Sequence, residues 1–392
     1  MKTSQLQTDV REGKSEPIGI INQPSSGTQK LNALTGLRFV AAVMIVIHHS
    51  RGVLGFSKEF LGGVSLQCGV SFFFVLSGFI LTHVYPSLNG PRAIRRFLIA
   101  RIARIWPAHF FSFLLLLALG LASTPINTSI AAANIAMLHA WVPVSAWFFS
   151  FNAVSWSIST ELFFYLAFPL LIAGFHQTWW WKGLLLGSVV FALVLTCERL
   201  RIPAFANAAP FEVNRAGLLY ITPAARLAEF FLGMVAAKLW KHSAALFRMR
   251  MSVATLLESL SLGLSVWAIV VFSAKTTLEQ TFGESWAAYL RHAGAAPAFA
   301  LLIMVFASQR GLISRGFGSR PAVLLGEISF SIYLLHQIFL RWLLAHRTMF
   351  TGVSEGILYI GFCVVLLAAS WLVWRGIERP TRRFLLQFAP AP

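Results

Sequence analysis

Arg38 and His49 lie in one apolar segment, LNALTGLRFVAAVMIVIHHSR (31–51), and their side chains suit anion binding and proton transfer. They are eleven residues apart, so in an α-helix they share a face and stand roughly 16 Å apart along the axis. His48 then points about 80° away from Arg38. Polar side chains in an apolar helix are costly and usually mark a pathway or a site. We therefore predict that Arg38 and His49 are functional.

A carboxylate lies in the apolar segment SWSISTELFFY (155–165), where Glu161 follows Ser157 at i, i+4 and Trp156 stands near the start. Residues four apart share a helix face. A carboxylate in a membrane helix is costly unless it is paired. Glu161 is therefore either one half of a structural ion pair or a site residue that orients a histidine or binds a sugar hydroxyl. We favour the site role.

A polar stripe runs down the segment GEISFSIYLLHQ (326–337), where Ser329, Tyr333 and His336 are spaced i, i+4, i+7. This spacing puts all three on one helix face. A single histidine in such a helix is often a satisfied core residue. Because Ser329 and Tyr333 share its face, we treat Tyr333 and His336 as additional site candidates.

The strongest basic cluster is RAIRRFLIARIARIWP (92–107), in which Arg101 and Arg104 are three residues apart. One interpretation is a charge patch that stops membrane transfer and contacts anionic lipid. The other is a cytoplasmic clamp for phosphates, which arginine binds through two parallel hydrogen bonds. The density of arginine exceeds what membrane orientation alone requires.

Three further motifs have simpler explanations. In GVSFFFVLSGFIL (69–81), the adjacent small residues Ser77 and Gly78 favour close helix packing, although the Ser77 hydroxyl could instead line a substrate path. In RLAEFFLGM, Arg226 and Glu229 fit a local i, i+3 salt bridge. The segment RGIERPTRRF (375–384) ends an apolar stretch with positive charge and fits a topological signal.

The composition indicates a membrane protein. Of 392 residues, 57% are hydrophobic and 12% are charged, against about a quarter charged in soluble domains; the mean hydropathy is +0.70. The net charge of +18 comes from basic residues between apolar segments, which favours topology control and attraction to anionic lipid or an anionic cosubstrate over nucleic acid. Cys68, Cys197 and Cys363 lack the spacing of a metal site or disulfide framework, so we expect no metal.

About ten segments are apolar and long enough to cross the membrane. Lys and Arg are about twice as frequent on one side of these spans as on the other, which favours cytoplasmic N- and C-termini. We predict an all-α polytopic bundle with spans near 33–50, 66–86, 106–123, 155–174, 183–197, 221–240, 252–273, 293–308, 323–345 and 354–374.

The flanking segments are short. Residues 1–30 are polar and rich in Ser, Gln and Gly, without the apolar core of a signal peptide, so we predict a disordered cytoplasmic tail. A single transmembrane domain over 31–384 follows, and 385–392 form a short C-terminal tail.

The motifs together resemble acyltransferase family 3, the multi-span bacterial O-acyltransferases of envelope glycans and some secondary metabolites. Their order and spacing, more than any single motif, make the likeness specific over roughly residues 31–384. The resemblance rests on LTGLRFVAAVMIVIHH, GVSFFFVLSGFIL, RRFLIARIARIWP, SWSISTE, RLAEFFLG, ISFSIYLLH and IERP. Family members often have proline or tryptophan after the late histidine, where this chain has Gln337.

The resemblance implies roles for the matching residues. The arginine–ten residues–histidine motif maps onto Arg38 and His49, and the Arg-x-x-Arg motif onto Arg101 and Arg104. The tryptophan–serine–glutamate element maps onto Trp156, Ser157 and Glu161. It also implies an acyl-CoA cosubstrate, most simply acetyl-CoA, on the cytoplasmic side and an acceptor hydroxyl reached from the outer face.

The expected activity is membrane O-acylation of a sugar hydroxyl in the bacterial inner membrane. The acceptor would be a lipopolysaccharide, an exopolysaccharide or a related glycoside. Arg38, Arg101 and Arg104 would hold the donor, and His49 would be the general base or a transient acyl carrier. Glu161 would orient His49 or stabilise its imidazolium. Trp156, Ser157, Tyr333 and His336 would contact substrate. The alternative is a secondary transporter or lipid-linked glycan flippase, which would typically show inverted repeats. The oligomeric state stays open.

Overall fold

The computed structural model describes residues 30–51, 53–54, 63–122, 126–243 and 248–390. Over these ranges the protein is helical, with no strand and one isolated antiparallel bridge between Val144 and Val213. The α-helices are α1 (Asn32–Ser50), α2 (Gly69–Val84), α3 (Gly90–Ala118), α4 (Thr128–Ile135), α5 (Ser145–Phe148), α6 (Trp156–Ile172), α7 (Phe175–Arg199), α8 (Pro223–His242), α9 (Met251–Ser273), α10 (Lys275–Phe282), α11 (Glu284–Ala293), α12 (Ala296–Ala307), α13 (Leu312–Phe317), α14 (Arg320–Ala345), α15 (Glu355–Val373) and α16 (Arg379–Leu386).

The prediction of an all-α polytopic membrane protein is confirmed. In the described ranges, nine helical stretches are long and apolar enough to cross a membrane. The predicted second span corresponds to α2, which has 16 residues and is shorter than the others. The other nine predicted spans each overlap one of the nine long stretches.

Two boundaries differ from the prediction. The basic segment 92–107 is the first half of α3, so the helix begins at Gly90 and not near 106, and it continues through Pro107 without a break. The predicted short span at 183–197 is the 25-residue helix α7, which begins at Phe175 because WWWK is helical as well. The predicted disorder of the N-terminal tail concerns residues that lie, apart from Lys30, outside the described ranges, and α16 extends to Leu386 into the predicted C-terminal tail.

Glycines allow the central helices to pack closely. A Cβ added to Gly78 of α2 would lie 1.8 Å from the Phe230 carbonyl oxygen of α8, and one added to Gly233 of α8 would lie 1.9 Å from that of Val75. In the same way, a Cβ on Gly326 of α14 would lie 1.8 Å from the Thr35 carbonyl oxygen of α1. The small-residue interpretation of the α2 motif is therefore correct, because only glycine fits at these contacts.

Contacts between neighbouring elements define two ends of the bundle. At the end where α1 begins, called the proximal end, the Gln309 side chain donates to the Lys30 carbonyl and accepts from the Ala33 amide. At the opposite, distal end, the Ser65 amide donates to the Ser273 hydroxyl at 2.8 Å. The short helices α4 and α5 and the 3₁₀ turn Ala153–Ser155 lie between the distal end of α3 and that of α6 in chain order.

Two buried charges have clear structural roles. The Glu258 carboxylate of α9 accepts hydrogen bonds of 3.0–3.1 Å from the amides of Gly311, Ile313 and Ser314, and so caps the start of α13. The Lys182 ammonium of α7 donates to three carbonyls near the end of α6, including that of Ala173 at 2.6 Å. Where a charge stabilises the fold, this protein satisfies its hydrogen bonds.

Candidate active site

Two histidines that are far apart in sequence form the centre of the site. The Nδ1 atom of His49, near the distal end of α1, lies 3.0 Å from the Nε2 atom of His336 on α14, and the ring centroids are 5.1 Å apart. His336 is fully buried and His49 is partly exposed. The close packing of α1 on α14 at Gly326 brings the two helices together. His49 is therefore the more accessible member of the pair.

The hydrogen bonds allow a protonation state to be assigned. The Nδ1 atom of His336 lies 3.3 Å from the Ile332 carbonyl, which can only accept, so Nδ1 carries the proton. In the neutral ring, Nε2 of His336 is then an acceptor, and Nδ1 of His49 must donate to it. This leaves a lone pair on Nε2 of His49. A neutral imidazole held in this tautomer has the arrangement that a general base requires.

A second contact in the site joins α14 to α6 through the side chains of Tyr333 and Ser157. The two hydroxyl oxygens are 2.7 Å apart, and each hydroxyl also contacts the Val154 carbonyl, at 2.9 Å and 3.1 Å. The Tyr333 ring lies 5.8 Å from that of His336. The structure thus brings Tyr333, Ser157 and the histidine pair together, but the two hydroxyls are already hydrogen-bonded to protein.

Gln337 and Asn152 have roles that sequence reasoning did not find. The Gln337 side-chain oxygen accepts from the Val154 amide at 3.1 Å, and the Asn152 amide donates to the Leu334 carbonyl at 2.9 Å. Together they attach the segment before α6 to the helix that carries His336. The departure from the family pattern at Gln337 therefore has a structural use. No local pattern in the sequence signals contacts between residues this far apart.

Glu161 does not orient His49, which was the expectation. Its carboxylate accepts from Ser77 at 3.3 Å and from Tyr165, and no hydrogen bond joins it to His49 among the described side chains. The Glu161 carboxylate also lies close enough to Arg38 to attract its positive charge. Since α6 runs inward from the distal end, Glu161 lies deeper than Ser157, towards the arginines. His336 takes the place beside His49 that was assigned to Glu161.

Trp156 packs into the core. It is 3% exposed, and its ring lies 6.2 Å from that of Phe74 and 4.7 Å from that of Tyr220. Its neighbours are therefore aromatic side chains of α2 and of the π-helical turn Gly217–Ile221.

Four arginines gather in the proximal half of the bundle, and all are partly exposed. Arg38 lies within electrostatic range of Arg104 and Glu378, and Arg382 lies within electrostatic range of Arg104 and Arg101. The guanidinium of Arg101 lies 5.6 Å from the centre of the Tyr85 ring. The Glu378 carboxylate accepts from the Ser331 hydroxyl. With Glu161 and Glu378 as the two carboxylates, the cluster keeps an excess of positive charge that suits a phosphate ligand.

The sequence interpretation missed Glu378 and Arg382, which were assigned to topology. Both lie in the segment that closes the last predicted span: Glu378 ends the π-helical turn Trp374–Glu378, and Arg382 belongs to α16. The turn and α16 bring this segment back against α3. A basic run after an apolar helix is usually a topological signal, so the sequence alone did not distinguish the two roles.

One helix connects the two centres. Arg38 and His49 both belong to the continuous helix α1, so their axial separation is roughly 16 Å. No three His, Cys, Asp or Glu side chains of the described residues converge as metal ligands.

A histidine pair at one end of a helical membrane bundle and an arginine cluster at the other fit a membrane-embedded group-transfer enzyme. The chain belongs to acyltransferase family 3, whose model, described as an acyltransferase domain, matches residues 31–375. It is accordingly a multi-pass membrane O-acyltransferase that uses an acyl donor. The family assignment favours this function over a transporter or flippase.

The relatives span most of the chain. Acyltransferase MdmB of Streptomyces mycarofaciens is 28% identical over 91% of this chain and 92% of its own length. Nodulation protein 10 of Rhizobium leguminosarum bv. viciae is 25% identical over 93% of this chain and 96% of its own length. O-acetyltransferase OatA of Staphylococcus aureus is 23% identical over 90% of this chain but only 57% of its own length. No solved structure matches significantly.

Proposed function

We propose that the enzyme transfers an acetyl group from acetyl-CoA to a hydroxyl of an envelope polysaccharide or a related glycoside, in the bacterial inner membrane. The observation that carries this proposal is the His49–His336 hydrogen bond, because it leaves His49 Nε2 unprotonated and accessible three helical turns from the arginine cluster. The bias of basic residues favours a cytoplasmic proximal end and cytoplasmic chain termini, which fits a donor that binds from the cytoplasm.

In the proposed reaction the acceptor hydroxyl loses its proton to Nε2 of His49 as its oxygen attacks the thioester carbonyl. The carbon–sulfur bond then breaks, and the departing CoA thiolate takes the proton from the imidazolium, which restores the neutral base. Arg38, Arg101 and Arg104 bind the phosphates of CoA. The pantetheine arm lies along α1 and carries the acyl group over the roughly 16 Å between the two centres.

The lipid bilayer and the glycan acceptor are the proposed partners. Apolar side chains that face outward on α7, α9 and α15 fit contact with lipid chains; among them are Leu184, Trp267 and Ile360. Ser157 and Tyr333 lie within the site wall, and we propose that they border the acceptor hydroxyl next to His336.

The function is tested by comparing envelope polysaccharide from cells with and without the gene. Mass spectrometry should show that acetylated repeat units disappear when the gene is deleted and return on complementation. Purified protein should also release CoA thiol from acetyl-CoA only when glycan from the deletion strain is added. An unchanged acylation pattern together with no glycan-dependent thiol release would contradict the proposal.

His336 is expected to act by positioning His49. Replacing it with alanine should lower kcat about tenfold to a hundredfold, because the partner that fixes the His49 tautomer is lost. His336→Gln should restore part of the activity, since the amide oxygen can accept the same hydrogen bond. The kcat of both variants should be measured across pH. Equal loss in both variants with an unaltered pH profile would assign His336 to packing alone.

A further inference from the structure

A second buried polar cluster lies next to the histidine pair, on α8 and α11. Arg226 is 0% and Glu229 2% exposed, and their Nε and Oε2 atoms are 2.9 Å apart. The predicted local salt bridge is thus present, although its atoms are not aligned for a hydrogen bond. The guanidinium lies between two aromatic rings, 5.3 Å from the centre of Phe74 and 5.5 Å from that of Tyr220.

Most of the hydrogen-bonding capacity of this ion pair is unused by the described residues. All three guanidinium nitrogens of Arg226 are buried without a hydrogen-bond partner there, and the Ser71 hydroxyl of α2 is close enough to donate to the Glu229 carboxylate. Glu258 and Lys182, the structural charges of the same bundle, each make three hydrogen bonds with the backbone. A buried pair left in this state is costly in a membrane helix, so stability alone does not explain it.

The cluster adjoins the active site on one side and an outward cleft on the other. His292 of α11 stacks on Tyr220 with ring centroids 3.7 Å apart and is influenced electrostatically by Arg226 and His48. The His48 ring lies 5.4 Å from that of His49. At its other end, α11 lines a distal cleft of about 410 Å³ with Glu284 and Ser285. The short helix α11 therefore begins at the cleft, with Glu284 and Ser285, and ends beside the Arg226–Glu229 pair, with His292.

The chemistry of the Arg226–Glu229 pair suits a sugar ligand. A guanidinium beside a carboxylate can bind neighbouring sugar hydroxyls, the first donating to their oxygens and the second accepting their protons. The charges cancel within the pair. In the cleft, Arg201 and Arg215 balance Glu198 and Glu284. This balance favours a neutral sugar over an anionic one.

Resting on the proposed function, we propose that Arg226 and Glu229, beside the stacked rings of Tyr220 and His292, form the acceptor subsite and bind a neutral sugar by its hydroxyls. The sugar enters through the distal cleft along α11. It is held with one hydroxyl directed past His48 towards Nε2 of His49.

The test measures sugar binding without acyl-CoA. Saturation-transfer NMR is recorded on the purified full-length protein in detergent with methyl glucoside, methyl galactoside, methyl mannoside and methyl glucuronide. The key variant is Arg226→Met with Glu229→Met, which removes both charges at similar volume and so leaves no unpaired buried ion. Glu229→Gln is the isosteric second variant. Glu258→Gln is the matched control, because it alters a buried carboxylate that the fold already satisfies.

We expect at least one neutral glycoside to bind the wild type and the Glu258→Gln control, and to bind both cluster variants about tenfold more weakly or worse, since charge-assisted hydrogen bonds are lost. Melting temperatures show that the variants are folded. Binding that both variants retain, no binding of any neutral glycoside to the wild type, or tighter binding of the glucuronide would each overturn the proposal. Because no donor is present, failure here is distinct from failure of thiol release, which tests the transferase function.

Discussion

Replacing His49 by alanine should lower the turnover of acetyl-CoA with a glycan acceptor by about a hundredfold to ten-thousandfold, which is the usual contribution of a general base. The expected loss is in kcat, because His49 Nε2 acts on the hydroxyl in the transition state. Arg38 and the arginine cluster lie about three helical turns away, so binding of the donor should persist. The measurement is the rate of CoA-thiol release at saturating donor, together with the Michaelis constant for acetyl-CoA.

His346→Ala is the matched control for this substitution. His346 is also an imidazole near the distal end, stacked on Trp342 with ring centroids 4.6 Å apart, and it belongs to neither centre. It should retain wild-type turnover. If His49→Ala turns over normally while it expresses and melts like the wild type, His49 is not the base. A stable acyl adduct on wild-type His49 in mass spectrometry would instead identify it as an acyl carrier.

The sequence predicted the members of the site better than their partners. Helical phase and hydropathy were sufficient to place Arg38 and His49 on one face of α1, because both depend only on local periodicity. The partner of His49 is 287 residues away, and that pairing depends on how α1 packs against α14. The glycine contact at Gly326, which brings these helices together, has no local signature.

Glu161 illustrates the limit of reasoning from helical spacing. Its i, i+4 relation to Ser157 correctly implied a shared face, but one face of a long helix meets different neighbours at different depths. Ser157 contacts Tyr333 near the histidines, whereas one turn further Glu161 contacts Ser77 and lies near Arg38. A carboxylate expected to support the base therefore belongs nearer to the donor end, where it offsets part of the arginine charge.

Replacing Arg101 and Arg104 together by alanine should raise the Michaelis constant for acetyl-CoA about tenfold or more, with a smaller change in kcat. Each arginine lost removes a charge-assisted hydrogen bond to phosphate, worth about 1.5–3 kcal/mol, and about 1.4 kcal/mol corresponds to a factor of ten. Because partly exposed charges are screened by salt, the wild-type constant should also rise with ionic strength more steeply than that of the variant.

The same helix supplies a control that separates a phosphate clamp from a lipid-facing charge patch. Arg92 and Arg95 have the same i, i+3 spacing on α3, but they are exposed and lie before the cluster. Replacing both by alanine removes an equal charge from the proximal end. If Arg101 and Arg104 only fix topology or contact anionic lipid, the two double variants should behave alike. If they hold CoA, only the Arg101–Arg104 variant should lose affinity for the donor, because Arg104 lies near Arg38, Arg382 and Glu378, and Arg101 lies near Arg382.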